Sequence, residues 1–456
     1  MEETSIERIS QIREAQRTYF HSGATLDVKT RKDNLKLFEK SVLKWEKPLC
    51  DALWKDLHKS YEEAYLTEVS ILLGEIRTHI RKINKWAKPQ RKLTPLKLFP
   101  SSSKIISEPL GTALIISPWN YPVQLLLTPL VGAISSGCTA VLKPSPYVPT
   151  VSKVIEDMIH ETFPEEYVAV VQGHRDVNTA LLEQRWDMIF FTGSPVLGRT
   201  VMAAAAKNLT PVVLELGGKS PCIIDRDADI KIAARRVAWG KALNAGQTCI
   251  APDYLMLHED IKDEFLAALK EEFTSLLGED PKQSRHFVRI VSDKAFDRLA
   301  GYLDNGKVLF GGHTDKSERY FEPTLLDGVS PDSPIMQEEI FGPIFPVQTF
   351  RNLDKVIEFV TSREKPLALY YFGKNGDKVL KHTSSGGACI NDTIMHIANE
   401  KVPFGGVGNS GMGSYHGRLS FDAFTHRRAV ITTPTCLDVP FRYMPYSTFQ
   451  LVKKLL

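Results

Sequence analysis

Five short apolar runs, at 112–116, 139–142, 167–171, 188–191 and 212–214, alternate with amphipathic stretches such as 151–162 and 196–208. A run with no polar alternation reads as a strand buried on both faces. Such strands separated by helices build parallel β-α-β units, with ligand sites at the strand ends. A second alternating region starts after Glu215, with an apolar run at 221–224, a helix through 233–242 and a strand near 254–257. At 456 residues the chain exceeds one ordinary core, so two or three domains of α/β class are expected.

Ahead of the first strand, Leu66, Val69, Leu72, Leu73, Ile76, Ile80 and Ile83 recur at spacings of three and four, one apolar helical stripe. Residues 88–104 hold three prolines, several basic side chains and a Ser triplet, the texture of a linker or a projecting hairpin. The basic residues of 77–92 are interleaved with Ile80, Ile83 and Trp86 and read as a solvated helix face. Net charge is only +3 and there is no dense Lys/Arg block, so nucleic acid is not an expected partner. No apolar run approaches the ~20 residues of a membrane span. The first twelve residues carry three Glu and no apolar core, unlike a secretory signal. Six cysteines without a Cys-x-x-Cys pair make no disulfide framework, so reduced thiols and a cytoplasmic location are expected. The 12 histidines show no ligand spacing, and no metal is expected.

Four segments carry chemistry. Gly240-Lys-Ala-Leu-Asn-Ala-Gly-Gln-Thr-Cys249 surrounds a cysteine with small and polar residues, which suits a thiolate nucleophile. The bland alternative, a buried structural cysteine, is kept for Cys50, Cys138, Cys222, Cys389 and Cys436. In Leu214-Glu-Leu-Gly-Gly-Lys-Ser-Pro221, a Glu between two leucines at a strand end should be partly desolvated, which makes a carboxylate a better base. A solvated loop carboxylate is the competing reading. Ser117-Pro-Trp-Asn-Tyr-Pro122 is a stiff turn whose Asn120 amide could stabilise an oxyanion or simply fix its own turn. In Phe190-Phe-Thr-Gly-Ser-Pro-Val-Leu-Gly198 a strand meets Gly193 and Ser194 and a helix begins, an arrangement suited to pyrophosphate although it is not Gly-x-Gly-x-x-Gly. Lys143-Pro-Ser, at a strand end, could reach a ribose or phosphate. Glu339-Ile-Phe-Gly-Pro343 sets a carboxylate for a ribose diol beside Phe341 for a nicotinamide ring.

Taken in order, Pro-Trp-Asn120, Lys143-Pro-Ser, Phe-Thr-Gly-Ser194, Glu215-Leu-Gly-Gly-Lys, Gly-Gln-Thr-Cys249, Glu339-Ile-Phe-Gly-Pro and Pro403-Phe-Gly-Gly resemble the aldehyde dehydrogenase superfamily, from about residue 10 to about 445. Ala-Trp-Gly-Lys before the nucleophile loop, Ser414-Tyr-His-Gly417 and Phe441-Arg-Tyr resemble its class 3 branch. The resemblance implies two Rossmann-like domains and a small β arm that bridges a homodimer. The cofactor-binding domain would span 1–87 and 107–215, the catalytic domain 216–413, the arm 88–106 and 414–438, and a tail 439–456. It implies oxidation of a medium- or long-chain aliphatic or aromatic aldehyde to the carboxylic acid with NAD(P). Cys249 would be the nucleophile, Asn120 and the Cys249 amide the oxyanion hole, and Glu215 the general base. Trp119, Lys143, Gly193, Ser194, Gly198, Glu339 and Phe341 would contact the cofactor. Tyr65, Trp239 and His416 would line the aldehyde pocket. A CoA-acylating relative, a non-catalytic protein of the same fold and an unrelated cysteine hydrolase are the alternatives. The intact Glu215 motif argues for water over CoA as acyl acceptor.

One position departs from the resemblance. Many NAD-preferring members read Lys-Pro-Ser-Glu, and that Glu binds the ribose hydroxyls and repels a 2′-phosphate. Here the fourth residue is Pro146, which does neither. Turnover with NAD and NADP is therefore expected to be comparable. Steady-state rates with both cofactors check this, and an NADP efficiency about a thousandfold below that of NAD would overturn it.

Overall fold

The computed structural model describes residues 3–438, 443–446, 449–450 and 453. The expected 439–456 tail, including Phe441 and Arg442, lies mostly outside the described residues.

Two open sheets dominate. The first has six strands in the order Gly411–Met412, Val212–Leu216, Met188–Gly193, Thr112–Ile116, Thr139–Lys143 and Val168–Val170. All neighbours are parallel except Gly411–Met412, which runs antiparallel against Val212–Leu216. The second has seven strands in the order Lys307–Phe310, Thr324–Asp327, Ile344–Phe350, Tyr254–His258, Pro221–Ile224, Ala368–Phe372 and Gly387–Ile390. It is parallel except at the Lys307–Phe310 edge. The apolar runs became strands because both faces are covered. Every residue of Thr112–Ile116 and Thr139–Lys143 is buried.

A third sheet is antiparallel, with Ser102–Pro109 between Gln90–Lys92 and Thr425–Thr432. Residues 88–104 are thus a hairpin and not a linker. The hairpin strand runs on to Pro109, past the expected arm boundary at 106. Residues 415–424 do not join this sheet. Phe424 stacks on Phe190 of the first sheet, Tyr415 meets the same ring edge to face, and the helix Arg418–Ala423 packs against Gln124–Ser136. The two aromatic rings are apolar surface that the thin arm cannot bury, so the chain covers the first sheet before it leaves for the arm at Thr425.

The helix Gln124–Ser136 is buried along its whole length. It ends in a left-handed Gly137 at φ 97°. The amide of Cys138 donates to Ala133 O at 2.9 Å, and that of Gly137 donates to Ala133 O at 3.1 Å. These bonds satisfy end carbonyls and turn the chain into Thr139–Lys143. A Cβ on Gly137 would lie 2.7 Å from Arg31 Nε, and that guanidinium is held by Thr25 O at 2.7 Å. Gly137→Ala is expected to cost about 1–3 kcal/mol of stability through backbone strain and this contact, read as a lower denaturant midpoint at unchanged slope.

Candidate active site

The first sheet reverses its winding between Thr112–Ile116 and Met188–Gly193. From the former the chain steps outward to Thr139–Lys143 and Val168–Val170, and from the latter it steps the other way. Crevices form at such a switch point, beyond the carboxyl ends of the strands. Asn120 follows Ile116, Lys143 ends its strand, Ser194 follows Gly193, and Glu215 is the penultimate residue of the strand Val212–Leu216. The second sheet contributes differently. Cys249 and Glu339 lie on segments that lead into Tyr254–His258 and Ile344–Phe350, at the amino ends of those strands.

Cys249 and Glu215 face one cavity of about 440 Å³. Its walls are mostly apolar, with Ile71, Leu125, Leu243, Ile250 and Phe404 among them. Trp239 and His416 also line it. The helical segment beside it adds Leu66, Thr67, Ser70, Ile71, Gly74 and Glu75 to the lining, while Tyr65 stacks on Tyr61 with ring centroids 6.3 Å apart.

Glu215 is 3% exposed, and neither carboxyl oxygen has a partner. Burial alone pushes its pKa well above the usual carboxylate range. Cys249 is half-buried and unpaired. Burial pushes its thiol up, Glu339 and Glu215 push it further, and its own amide and that of Ile250 pull it down.

The nucleophile loop has unusual backbone. Asn244, Ala245 and Gly246 are successive left-handed residues at φ 51°, 50° and 69°. Non-glycine residues hold such angles only where their surroundings over-determine them. Here Asn244 Nδ2 donates to both Asn120 O and Gln247 O at 3.0 Å. Asn120 Nδ2 also donates to Gln247 O at 3.0 Å. Gln247 Nε2 donates to Arg289 O at 3.0 Å, and its Oε1 accepts from Val291 N at 3.1 Å. The hydroxyls of Tyr121 and Thr248 pair at 2.8 Å. Asn120 and the loop of Cys249 are therefore one bonded unit.

Behind this unit lie charges that sequence reasoning missed. Lys59 and Glu68 are fully buried and pair at 2.7 Å. Lys59 Nζ also donates to Asn120 O at 3.1 Å and sits 4.2 Å from the Tyr121 ring centroid. Glu68 Oε2 accepts from the amides of Val123 and Gln124 at 2.8 and 3.3 Å, at the start of Gln124–Ser136. Glu63 Oε1 accepts from Asn244 N at 2.9 Å. Burial pushes Glu63 up to about 7, against the pull of Lys59. Glu63 and Glu68 are five residues apart, a spacing that an α-helix does not place on one face. The π-helical turn Tyr65–Val69 between them supplies the extra residue.

A second groove, of about 270 Å³, lies along the start of Pro195–Ala206 and is lined by Gly198, Arg199, Leu214 and Leu216 among others. Alternation along a strand explains the division. Leu214 and Leu216 face the groove and Glu215 faces the cavity. Ser194 caps the helix, with its hydroxyl accepting from Leu197 N at 3.4 Å. A Cβ on Gly198 would meet Leu216 at 2.6 Å, and one on Gly217 would meet Glu339 Oε2 at 2.1 Å. Burial, then Asp253, push Glu339 up to about 8. Its turn is pinned by Arg298, which donates to Glu339 O and Ile340 O at 3.1 and 2.7 Å. Phe341 is left-handed at φ 50° and meets Trp119 edge to face, with centroids 5.4 Å apart. Lys143 is buried, donates to Pro144 O at 2.8 Å, and is pushed down to about 8 by burial.

The profile of the "Aldehyde dehydrogenase family" matches residues 1–430. The chain is 46% identical over 443 residues to the 4,4'-diaponeurosporen-aldehyde dehydrogenase of Staphylococcus aureus, covering 96% of each chain. It is 44% identical to the dimeric NADP-preferring aldehyde dehydrogenase of Rattus norvegicus, covering 91% of this chain and 92% of that one. Among solved structures it matches the substrate-bound state of S. aureus AldH with TM-score 0.96 and 45% identity, covering 98% and 99% of the two chains. It matches S. aureus betaine aldehyde dehydrogenase in complex with NAD+ with TM-score 0.86 and 26% identity, covering 97% and 90%. A cysteine and a desolvated carboxylate in one cavity, a strand-to-helix groove beside it and these likenesses along the whole fold converge: the chain belongs to the aldehyde dehydrogenase family, NAD(P)-dependent oxidoreductases that convert aldehydes to carboxylic acids.

Proposed function

We propose that Cys249 forms a covalent thioester during aldehyde oxidation, that Asn120 and the Cys249 amide bind the oxyanion, and that Glu215 activates the hydrolytic water. The observation that carries this reading is the unpartnered, buried Glu215 carboxyl in the same cavity as Cys249. Mostly apolar walls and a volume of about 440 Å³ favour medium- or long-chain aliphatic and aromatic aldehydes.

The groove fits a dinucleotide. It opens on the N-terminal turn of Pro195–Ala206, and Gly198 and Gly217 let the Leu216 and Glu339 side chains lie close against the backbone. Gly193 and Ser194 would hold the pyrophosphate, Lys143 a ribose, Glu339 the nicotinamide ribose, and Trp119 and Phe341 the ring. When bound, NAD(P) supplies the hydride acceptor. The Pro146 position and the likeness to an NADP-preferring relative support use of both forms.

Cys249 loses its thiol proton to solvent, the thiolate sulfur adds to the aldehyde carbon, and the carbonyl oxygen becomes an oxyanion. Asn120 Nδ2 spends one hydrogen on Gln247 O and keeps a second to donate. Such a fixed donor contributes about 3–4 kcal/mol to a developing oxyanion. Loss of hydride from the tetrahedral carbon leaves the thioester. Glu215, as carboxylate, then takes a proton from water as the water attacks, and the acid leaves with the Cys249 thiol restored.

The arm sheet exposes Leu93, Leu96 and Phe99, which supports a homodimer joined there. Six free cysteines support a reducing, cytoplasmic location. Light scattering on the purified protein is expected to give twice the chain mass.

Cys249→Ala is expected to abolish aldehyde-dependent reduction at 340 nm with cofactor binding retained. Glu215→Gln is expected to lower steady-state turnover by roughly 10²-fold while leaving a single-turnover burst. The base works only as carboxylate and its pKa is raised, so deacylation is expected to climb with pH above the usual carboxylate range and to be lost as pH falls. Glu215→Gln should flatten that climb. Full steady-state turnover in Glu215→Gln would refute the assignment of the base.

A further inference from the structure

Two buried charges lie behind the site. Lys59 and Glu68 sit in the interior, where a charge is stable only with close partners. The pair does more than neutralise itself. Each member makes a second bond to the backbone of the turn that carries Asn120. Lys59 Nζ holds Asn120 O at 3.1 Å, and Glu68 Oε2 holds the amides of Val123 and Gln124. The turn is thus gripped by a cation on its carbonyl and an anion on its amides. The same Asn120 carbonyl receives Asn244 Nδ2, which ties the grip to the loop of Cys249.

We infer that Lys59, held by Glu68, is a positioning residue for the oxyanion step: it fixes the Asn120 backbone so that the Asn120 amide meets the developing oxyanion. This rests on the proposed role of Asn120. Oxyanion donors act through preorganisation, and supporting contacts must hold them within about 0.5 Å of the productive position. Asn120 Oδ1 has no partner, so the side chain is oriented only through its Gln247 bond and through its own backbone. Lys59 supplies a charge-assisted bond to that backbone. Lys59 lines neither the aldehyde cavity nor the groove, and its hydrogen bond toward the site is to Asn120 O.

The test uses the full-length chain. The variant Lys59→Met/Glu68→Gln removes both charges together, so neither member of the pair is left without the other. Two rates are read. Alkylation of Cys249 by iodoacetamide displaces iodide and forms no oxyanion. The pre-steady-state burst at 340 nm, with a saturating aldehyde and NAD(P), requires one. The expected result is an alkylation rate within twofold of the parent and a burst slowed at least tenfold, with NAD(P) affinity unchanged. Asn120→Ala should show the same signature. Adding the Lys59→Met/Glu68→Gln change to it should slow the burst no more than twofold further, because both act on one donor. An unchanged burst overturns the proposal, and so does a parallel fall of burst and alkylation, which would mean general disruption of the loop. A full further tenfold loss in the Asn120→Ala background also overturns it. An unaffected Asn120→Ala would instead refute the oxyanion role of Asn120 itself. If the double change does not fold, Lys59→Gln is measured in its place, since its amide keeps a donor near Glu68 without the charge, and the same outcomes decide.

Discussion

Strands covered on both faces can present chemistry only where they end. In the first sheet the carboxyl ends of four neighbouring strands carry or lead into Asn120, Lys143, Ser194 and Glu215, all at one end of the sheet. Loops at the amino ends of the second sheet carry Cys249 and Glu339, and Cys249 meets Glu215 in one cavity. Neither sheet holds the proposed machinery alone. The position of each group depends on how the two stacks of strands meet.

That meeting is held by polar groups in a dry interior. A buried ion pair adds little net stability, but removing one partner costs about 3–5 kcal/mol. Lys59 and Glu68 therefore make the Asn120 turn costly to displace. The polar atoms left without partners tell the complementary story. Both oxygens of Glu215, Asn120 Oδ1, Thr192 Oγ1, Tyr415 OH and His416 Nε2 are buried and unmatched. Of these residues, Thr192, Glu215, Tyr415 and His416 line the cavity.

The sequence makes the strands legible because full burial writes itself as unbroken apolar runs. The expected run at 221–224 is the observed strand Pro221–Ile224, and those at 139–142 and 188–191 extend by one and two residues. The groups around the cavity were legible as motifs, since Gly-Gln-Thr-Cys249 and Glu215-Leu-Gly-Gly are local. What stayed hidden is non-local or irregular. Glu63 and Glu68 gain a common direction from a π turn that no α-helical period anticipates. Lys59 looks like a surface lysine until its neighbours close over it. Residues 415–424 read as arm because sequence order continues into the arm strand, whereas aromatic packing returns them to the first sheet.

The strand Val212–Leu216 is a partition one residue thick. Its even-numbered leucines face the groove and its single acid faces the cavity. The two reactants would then have separate doors, and neither entrance runs through the other. The partition stops at Gly217 and Gly218, and there the Glu339 carboxyl lies against Gly217, so a side chain from the second sheet stands at the end of the wall.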